Sequence, residues 1–140
     1  MASPNVFTAF REQVAKGLHD FDTHTYKIRL LNTVPSASNE VIADLPSEIA
    51  AGNGYTAGGA TVTVTNVSTS GSIATVYAND VDFTASGGDI AAFRYAVLAN
   101  STTNALVCWW DRGVSSTIPN GDTFRVQVSP TAGLIQFSLA

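Results

Sequence analysis

Four segments of this chain change side-chain character at every second residue, and that period of two most narrows what the chain can fold into. Tyr26, Ile28 and Leu30 alternate with Lys27, Arg29 and Leu31, and Thr61, Thr63 and Thr65 with Val62, Val64 and Asn66. Further on, Phe93, Tyr95 and Val97 alternate with Arg94, Ala96 and Leu98, and Phe124, Val126 and Val128 with Arg125, Gln127 and Ser129. Successive side chains of a strand point to opposite faces, so this alternation of β-branched and aromatic residues marks strands with one face buried. Segments 73–78, 106–111 and 134–139 read as further strands, and Gly-, Asn-, Ser- and Pro-rich breaks fall at 52–59, 68–72, 86–89, 100–104 and 118–122. About seven short strands separated by turn clusters predict a mainly β protein, an antiparallel β-sandwich (Ig-like or jelly-roll-like) from about residue 25 to 140. Strand–helix alternation is missing from the pattern, which argues against a doubly wound sheet.

Two stretches break the period. Near the start, Val6, Phe7, Phe10, Val14 and Leu18 share one stripe at helical spacing. Ser3-Pro4 fits a cap and first turn, and Lys16-Gly17 fits a stop, which predicts a short helix over about 5–17. Such a helix is too short to stand alone, so its apolar face must dock. Segment 32–51 is irregular, with Pro35 and Pro46 preventing a long helix. It reads as a surface arm that lies across a neighbour. At 140 residues, the whole chain fits one domain.

Charge narrows the function classes. Only 13% of residues are charged and the formal net charge is −4, with no Lys/Arg block, so a nucleic-acid partner is not expected. The apolar run 105–110 is too short to cross a bilayer, and the first residues lack the basic and apolar regions of a secretion signal. A cytoplasmic origin without a membrane partner is the expectation. The polar surface must come mainly from Thr, Ser, Asn and Gly, which are cheaper to desolvate than Lys and Glu and suit a life against neighbouring chains. Cys108, the single cysteine, sits in an apolar strand pattern and reads as a small buried hydrophobe.

Chemistry-bearing constellations are few. His19, Asp20, Asp22 and His24 (HDFDTH) offer two imidazoles and two carboxylates, a conceivable divalent-cation set. Their place at a helix-to-strand junction favours caps and turn residues instead. Residues 52–59 (GNGYTAGG) are glycine-rich but lack the Lys-Ser/Thr of a phosphate loop and open a strand, so they read as a tight turn or a close backbone approach. There is no Gly-x-Ser-x-Gly elbow, and the histidines sit beside no nucleophile. Asp80, Asp82, Asp89, Asp111 and Asp122 are scattered through turns, where a hydrolase pair stays open as a minor alternative. No catalytic residue, cofactor or metal is assigned. Trp109-Trp110-Asp111-Arg112-Gly113 is the most unusual run: neighbours in a strand face opposite ways, so one indole belongs to the core and the other to the far face. Cover by the chain's own helix or arm ranks first for the outer indole, ahead of a subunit anchor and a sugar-stacking platform.

These pieces also occur in a recognisable order: AKGLH from Ala15, YKIRLLNT from Tyr26, AAGNGYTAGGATVT from Ala50, FTASGGDI from Phe83, FRYAVL from Phe93, WWDRG from Trp109 and GDTF from Gly121. In that order the chain resembles a family of small virion proteins encoded among the head genes of tailed bacteriophages. The resemblance implies a non-catalytic capsid decoration (cement) subunit, made in the host bacterial cytoplasm, that joins the outside of the major capsid protein lattice, commonly as a homotrimer. Head fibre, connector, tail component or a carbohydrate-binding adsorption module are the alternatives it leaves open. On this view the contact surface comes from the helix face (Phe7, Phe10, Val14), from the arm (Pro35, Val41, Ile42, Leu45), ranked slightly higher, or from Trp109 and Trp110.

Overall fold

A computed structural model describes residues 3–138. The chain is mainly β, built from antiparallel sheets with one short helix near the N-terminus. In order it runs β1 (Asn5–Val6), α1 (Phe10–Ala15), β2 (Tyr26–Leu31), β3 (Ala60–Val62), β4 (Val64–Ser70), β5 (Ile73–Ala78), β6 (Val81–Thr84), β7 (Ile90–Asn100), β8 (Leu106–Ile118), β9 (Thr123–Val126) and β10 (Ile135–Ser138). A five-stranded sheet has the order β1-β8-β7-β2-β3; a second sheet has the order β10-β5-β4, and β6 pairs with β9. The expected last strand, 134–139, corresponds to β10, and its end at Leu139 lies outside the described residues.

The alternation seen in the sequence explains the layering. Tyr26, Ile28 and Leu30 of β2, with Ala96 and Leu98 of β7, enter one large apolar cluster together with Val76, Val81, Phe83 and Val126 of the other two sheets and with Leu134, just before β10. Tyr95, Val97 and Ala99 point the other way, into a smaller cluster with Phe7, Leu31 and Leu106. The five-stranded sheet is therefore buried on both faces at its centre.

The helix differs from expectation at its start. Residues 5 and 6 are paired with β8 (Asn5 opposite Trp109, Val6 opposite Cys108), and the Phe7 amide donates to the Val107 carbonyl at 3.2 Å. Sheet pairing thus takes the residues that a helix from position 5 would use, and α1 starts at Phe10 without a side-chain cap. Its end is as predicted. Gly17 lies at φ +78°, with Gly17 N–H donating to Val14 O and Leu18 N–H to Gln13 O, the double bond of a left-handed helix stop. Leu18 then turns out to solvent instead of joining the stripe.

Strand boundaries also move: β8 runs on past 111 to Ile118, and β9 stops at Val126, short of 129. The Thr/Val strand expected across 61–66 is two strands in different sheets, parted at Thr63, whose carbonyl accepts the Asn79 amide. The break expected over 68–72 contracts to a two-residue turn, Gly71-Ser72, between paired Ser70 and Ile73. Gly71 at φ +62° supplies the conformation that a tight hairpin of this kind needs at its first turn position.

Candidate functional site

The irregular arm and the first of the two tryptophans, Trp109, meet on the outer face of the five-stranded sheet. The arm is fastened to its own sheet by main-chain bonds: Thr8 N–H to Ala37 O at 2.9 Å, Ile42 N–H to Asn104 O at 2.9 Å, Leu106 N–H to Glu40 O at 3.1 Å, and Ile49 N–H to Leu30 O at 2.9 Å. Asp44 holds the bend by accepting the Glu40 and Val41 amides. Ile42 and Leu45 pack with Trp109 onto the smaller apolar cluster, and the Trp109 ring lies 4.7 Å from that of Phe7. Trp110, on the opposite face, is in the main core. The opposed tryptophans follow from strand geometry, and the chain's own arm flanks the outer one.

Of the nine residues singled out for an interface, Phe7, Phe10, Pro35 and Trp110 are buried within the folded chain, and a partner reaches them only if the chain opens. Val14, Ile42, Leu45 and Trp109 are half-buried, and Val41 is 37% exposed. Val34, which sequence reasoning passed over, is 56% exposed on the same arm. The arm therefore carries apolar side chains outward from a fixed main chain. No periodicity exists in such a segment to show which of its residues face solvent.

The WWDRG run continues into a bulged extension of β8. Asp111 accepts both the Nε and an Nη of Arg94 (2.8 and 3.0 Å) and also the Gly113 amide at 2.7 Å; Gly113 lies at φ +85°. The Arg112 guanidinium sits 3.7 Å over the Phe93 ring and donates to the Phe93 carbonyl and to the Ser116 backbone and hydroxyl oxygens. These contacts give both charged residues a structural task. They hold β8 to β7 across the register shift between Phe93 and Tyr95.

HDFDTH proves to be a turn joined to a buried polar network. Asp20 accepts the Asp22 and Thr23 amides and the Thr23 hydroxyl, whose hydrogen bond, more than any other contact, holds its carboxyl below the usual range. His19 is buried, with Nε2 3.2 Å from Gln13 Oε1 and Nδ1 3.4 Å from the Tyr26 hydroxyl. Asn100, also buried, donates to Leu18 O, to His24 Nδ1 and towards the Tyr26 hydroxyl, sharing two hydrogens among three acceptors. Gln13 in turn donates to Glu40 O. The network ties helix, β2, β7 and arm together. Residues so far apart in sequence gave no local pattern by which to find it. Among the described residues, no three His, Cys, Asp or Glu side chains converge.

Burial, with a smaller contribution from His24, pushes the His19 imidazole down to about 4 from an ordinary 6.5. The unfolded chain therefore takes up this proton first, so the stabilisation present above pH 6.5 is lost as pH falls towards 4. The full loss amounts to roughly 3 kcal/mol for a shift of this size. Urea midpoints should fall between pH 7 and 4.5, and His19→Gln should flatten that slope; an equally steep slope in the variant would assign the effect elsewhere.

Three of the other aspartates noted in turns are each engaged singly. Asp82 pairs with Arg125 (2.7 and 2.9 Å), Asp80 accepts the Val128 amide at 2.7 Å, and Asp89 accepts the Asn120 amide at 2.9 Å. Cys108 is fully buried, which pushes its thiol far up. The glycine-rich segment is a backbone crossing. Tyr55 at its centre is buried, donates to Glu48 Oε2 at 2.5 Å and accepts the Leu30 amide, while Glu48 accepts the Gly58 amide.

No protein-family model matches the chain, and no curated protein or solved structure is significantly similar to it.

Proposed function

We propose that this chain is a non-catalytic structural protein of a tailed-phage virion: a decoration subunit of sandwich architecture (Ig-like or jelly-roll-like) that binds the outside of the major capsid protein lattice as a homotrimer. The ordered sequence pieces that resemble small head proteins name the class. The structural observation that supports it is the arm, which holds Val34 and Val41 outward on a main chain already bonded to the sheet. A contact surface fixed before binding loses little entropy on docking. Repeated over a lattice, many such contacts of modest strength resist internal pressure through avidity. Few charged side chains over the whole chain keep the desolvation cost of such contacts small.

Purified protein mixed with undecorated capsids should co-sediment saturably and raise the temperature at which DNA is released. Val41→Asp, at a 37% exposed position, should weaken binding by about tenfold or more while leaving thermal unfolding nearly unchanged. Saturable binding to tails or to host glycans, with none to heads, would move the protein to a tail or adsorption role.

A further inference from the structure

β4 is an edge strand whose own sequence has none of the usual defences against pairing. It hydrogen-bonds to β5 on one side, and among the described residues its other side meets no strand. Its sequence, VTNVSTS, has neither charge nor proline, and the turn and partner strand that follow, Gly71 to Ala78, have none either. Natural edges of this length are commonly blunted by lysine, proline or a covering element. The other edges here are blunted: β1 has two residues and β3 three, β6 and β9 carry the Asp82–Arg125 ion pair, and the flank of β10 lies beside Val6, Phe10 and Arg11. From Thr65 to Ile73 every residue is exposed, including Val67 at 47%.

The hairpin register identifies which main-chain groups are free. Ser70 and Ile73 flank the two-residue turn and form a hydrogen-bonded pair, so Ser68–Thr75 and Asn66–Tyr77 are hydrogen-bonded pairs too. Val67 and Thr69 are the alternate positions. Their N–H and C=O groups point away from β5, a row of four groups spaced for one further antiparallel strand. The register shift between Val64 and Asn66 limits the regular edge to 66–70.

We propose that this edge pairs with the same edge of a second copy of the chain, about a two-fold axis at Ser68, joining the two three-stranded sheets into one six-stranded sheet. Two features favour a second copy over a foreign segment. The free pattern is its own complement: with Ser68 opposite Ser68 of the second copy, Val67 of each copy meets Thr69 of the other, and all four free groups of each strand are used. The strand itself carries no charge in a chain of net charge −4, so the paired residues do not repel one another; Asp22, beside Val64 to Val67, is the neighbouring charge that a second copy meets. The contact is small, so the dimer is weak in dilute solution and gains from any lattice that holds copies side by side. The proposal stands apart from the virion assignment, since it uses only this chain.

Sedimentation of the isolated protein up to about millimolar concentration should show a monomer–dimer equilibrium. Thr69→Pro removes an outward N–H and none of the β4–β5 bonds, so it should keep the unfolding temperature and weaken the dimer at least tenfold. Under mild oxidation Ser68→Cys should give a disulfide-linked dimer, because the two-fold places the paired Cβ atoms close together. Ser72→Cys, at the exposed turn, is the control and should stay largely monomeric; native Cys108 is buried. Equal cross-linking of both variants, dimerisation that Thr69→Pro leaves intact, or a wild-type protein that stays monomeric throughout would each overturn the proposal.

Discussion

Gly59→Ala should cost about 3–5 kcal/mol, a large part of the stability of a domain this size and enough to leave much of the protein unfolded at physiological temperature. Two effects add. Gly59 lies at φ +89°, where an alanine is strained by about 1 kcal/mol or more. A methyl group there would also stand inside the van der Waals radius of the Ile28 carbonyl oxygen, on the β2 residue that pairs with Ala60. Backbone cannot step aside as a flexible side chain can, so β3 would have to leave β2. Gly54 is built alike, with the Thr84 carbonyl in the place of its missing side chain. Gly71→Ala is the informative control. It too has positive φ, at +62°, but nothing lies within reach of its methyl, so about 1 kcal/mol should be lost. Urea unfolding of the three proteins separates conformational strain from collision; equal losses at Gly59 and Gly71 would show that the crossing with β2 tolerates a side chain.

That crossing was half legible in the sequence. GNGYTAGG could be assigned to a tight turn or a close backbone approach because glycine is the residue that tolerates both. Which backbone comes close depends on Ile28 and Thr84, lying far from it on either side, and nothing local encodes that. The same division runs through the fold. Period-two runs such as Tyr26–Leu31 became strands because one face of each buries apolar side chains, an effect written into neighbouring residues. Val6 and Phe7 also fit a helical stripe, and their capture by β8 is a tertiary contact that outweighs a weak local propensity. The strand expected over 106–111 stops short because Gly113 and three polar residues interrupt any pattern over 112–118. Residues 112–118 nevertheless extend β8, because Arg112 spans the bulge, resting on Phe93 and bonding to Ser116. The arm was visible as irregular, but its bonds to Leu30, Asn104 and Leu106, which determine what it covers, were not.

Trp110→Ala and Trp109→Ala should separate, although the two residues are adjacent. Trp110 is 5% exposed in the main core, so its truncation leaves a cavity there and should cost about 3–5 kcal/mol. Trp109 packs from the rim onto the smaller cluster, against Phe7 and near Ile42 and Leu45, and remains partly in contact with solvent. Its truncation should cost only about 1–2 kcal/mol, because part of the indole is never removed from water. The loss should be local. Ile42 and Leu45, packed on the same small cluster, lose part of its apolar support, while the Ile42 amide keeps its bond to Asn104. Amide exchange at Ile42 should therefore quicken more than exchange at Leu98, in the sheet core. If the arm is the docking surface, Trp109→Ala should also weaken capsid binding through loss of preorganisation, whereas residual folded Trp110→Ala should still bind. The opposite ranking in unfolding would mean that the indoles face the other way round. Unchanged capsid binding in Trp109→Ala, alongside faster exchange at Ile42, would take the arm out of the contact and leave it only the task of covering its own sheet.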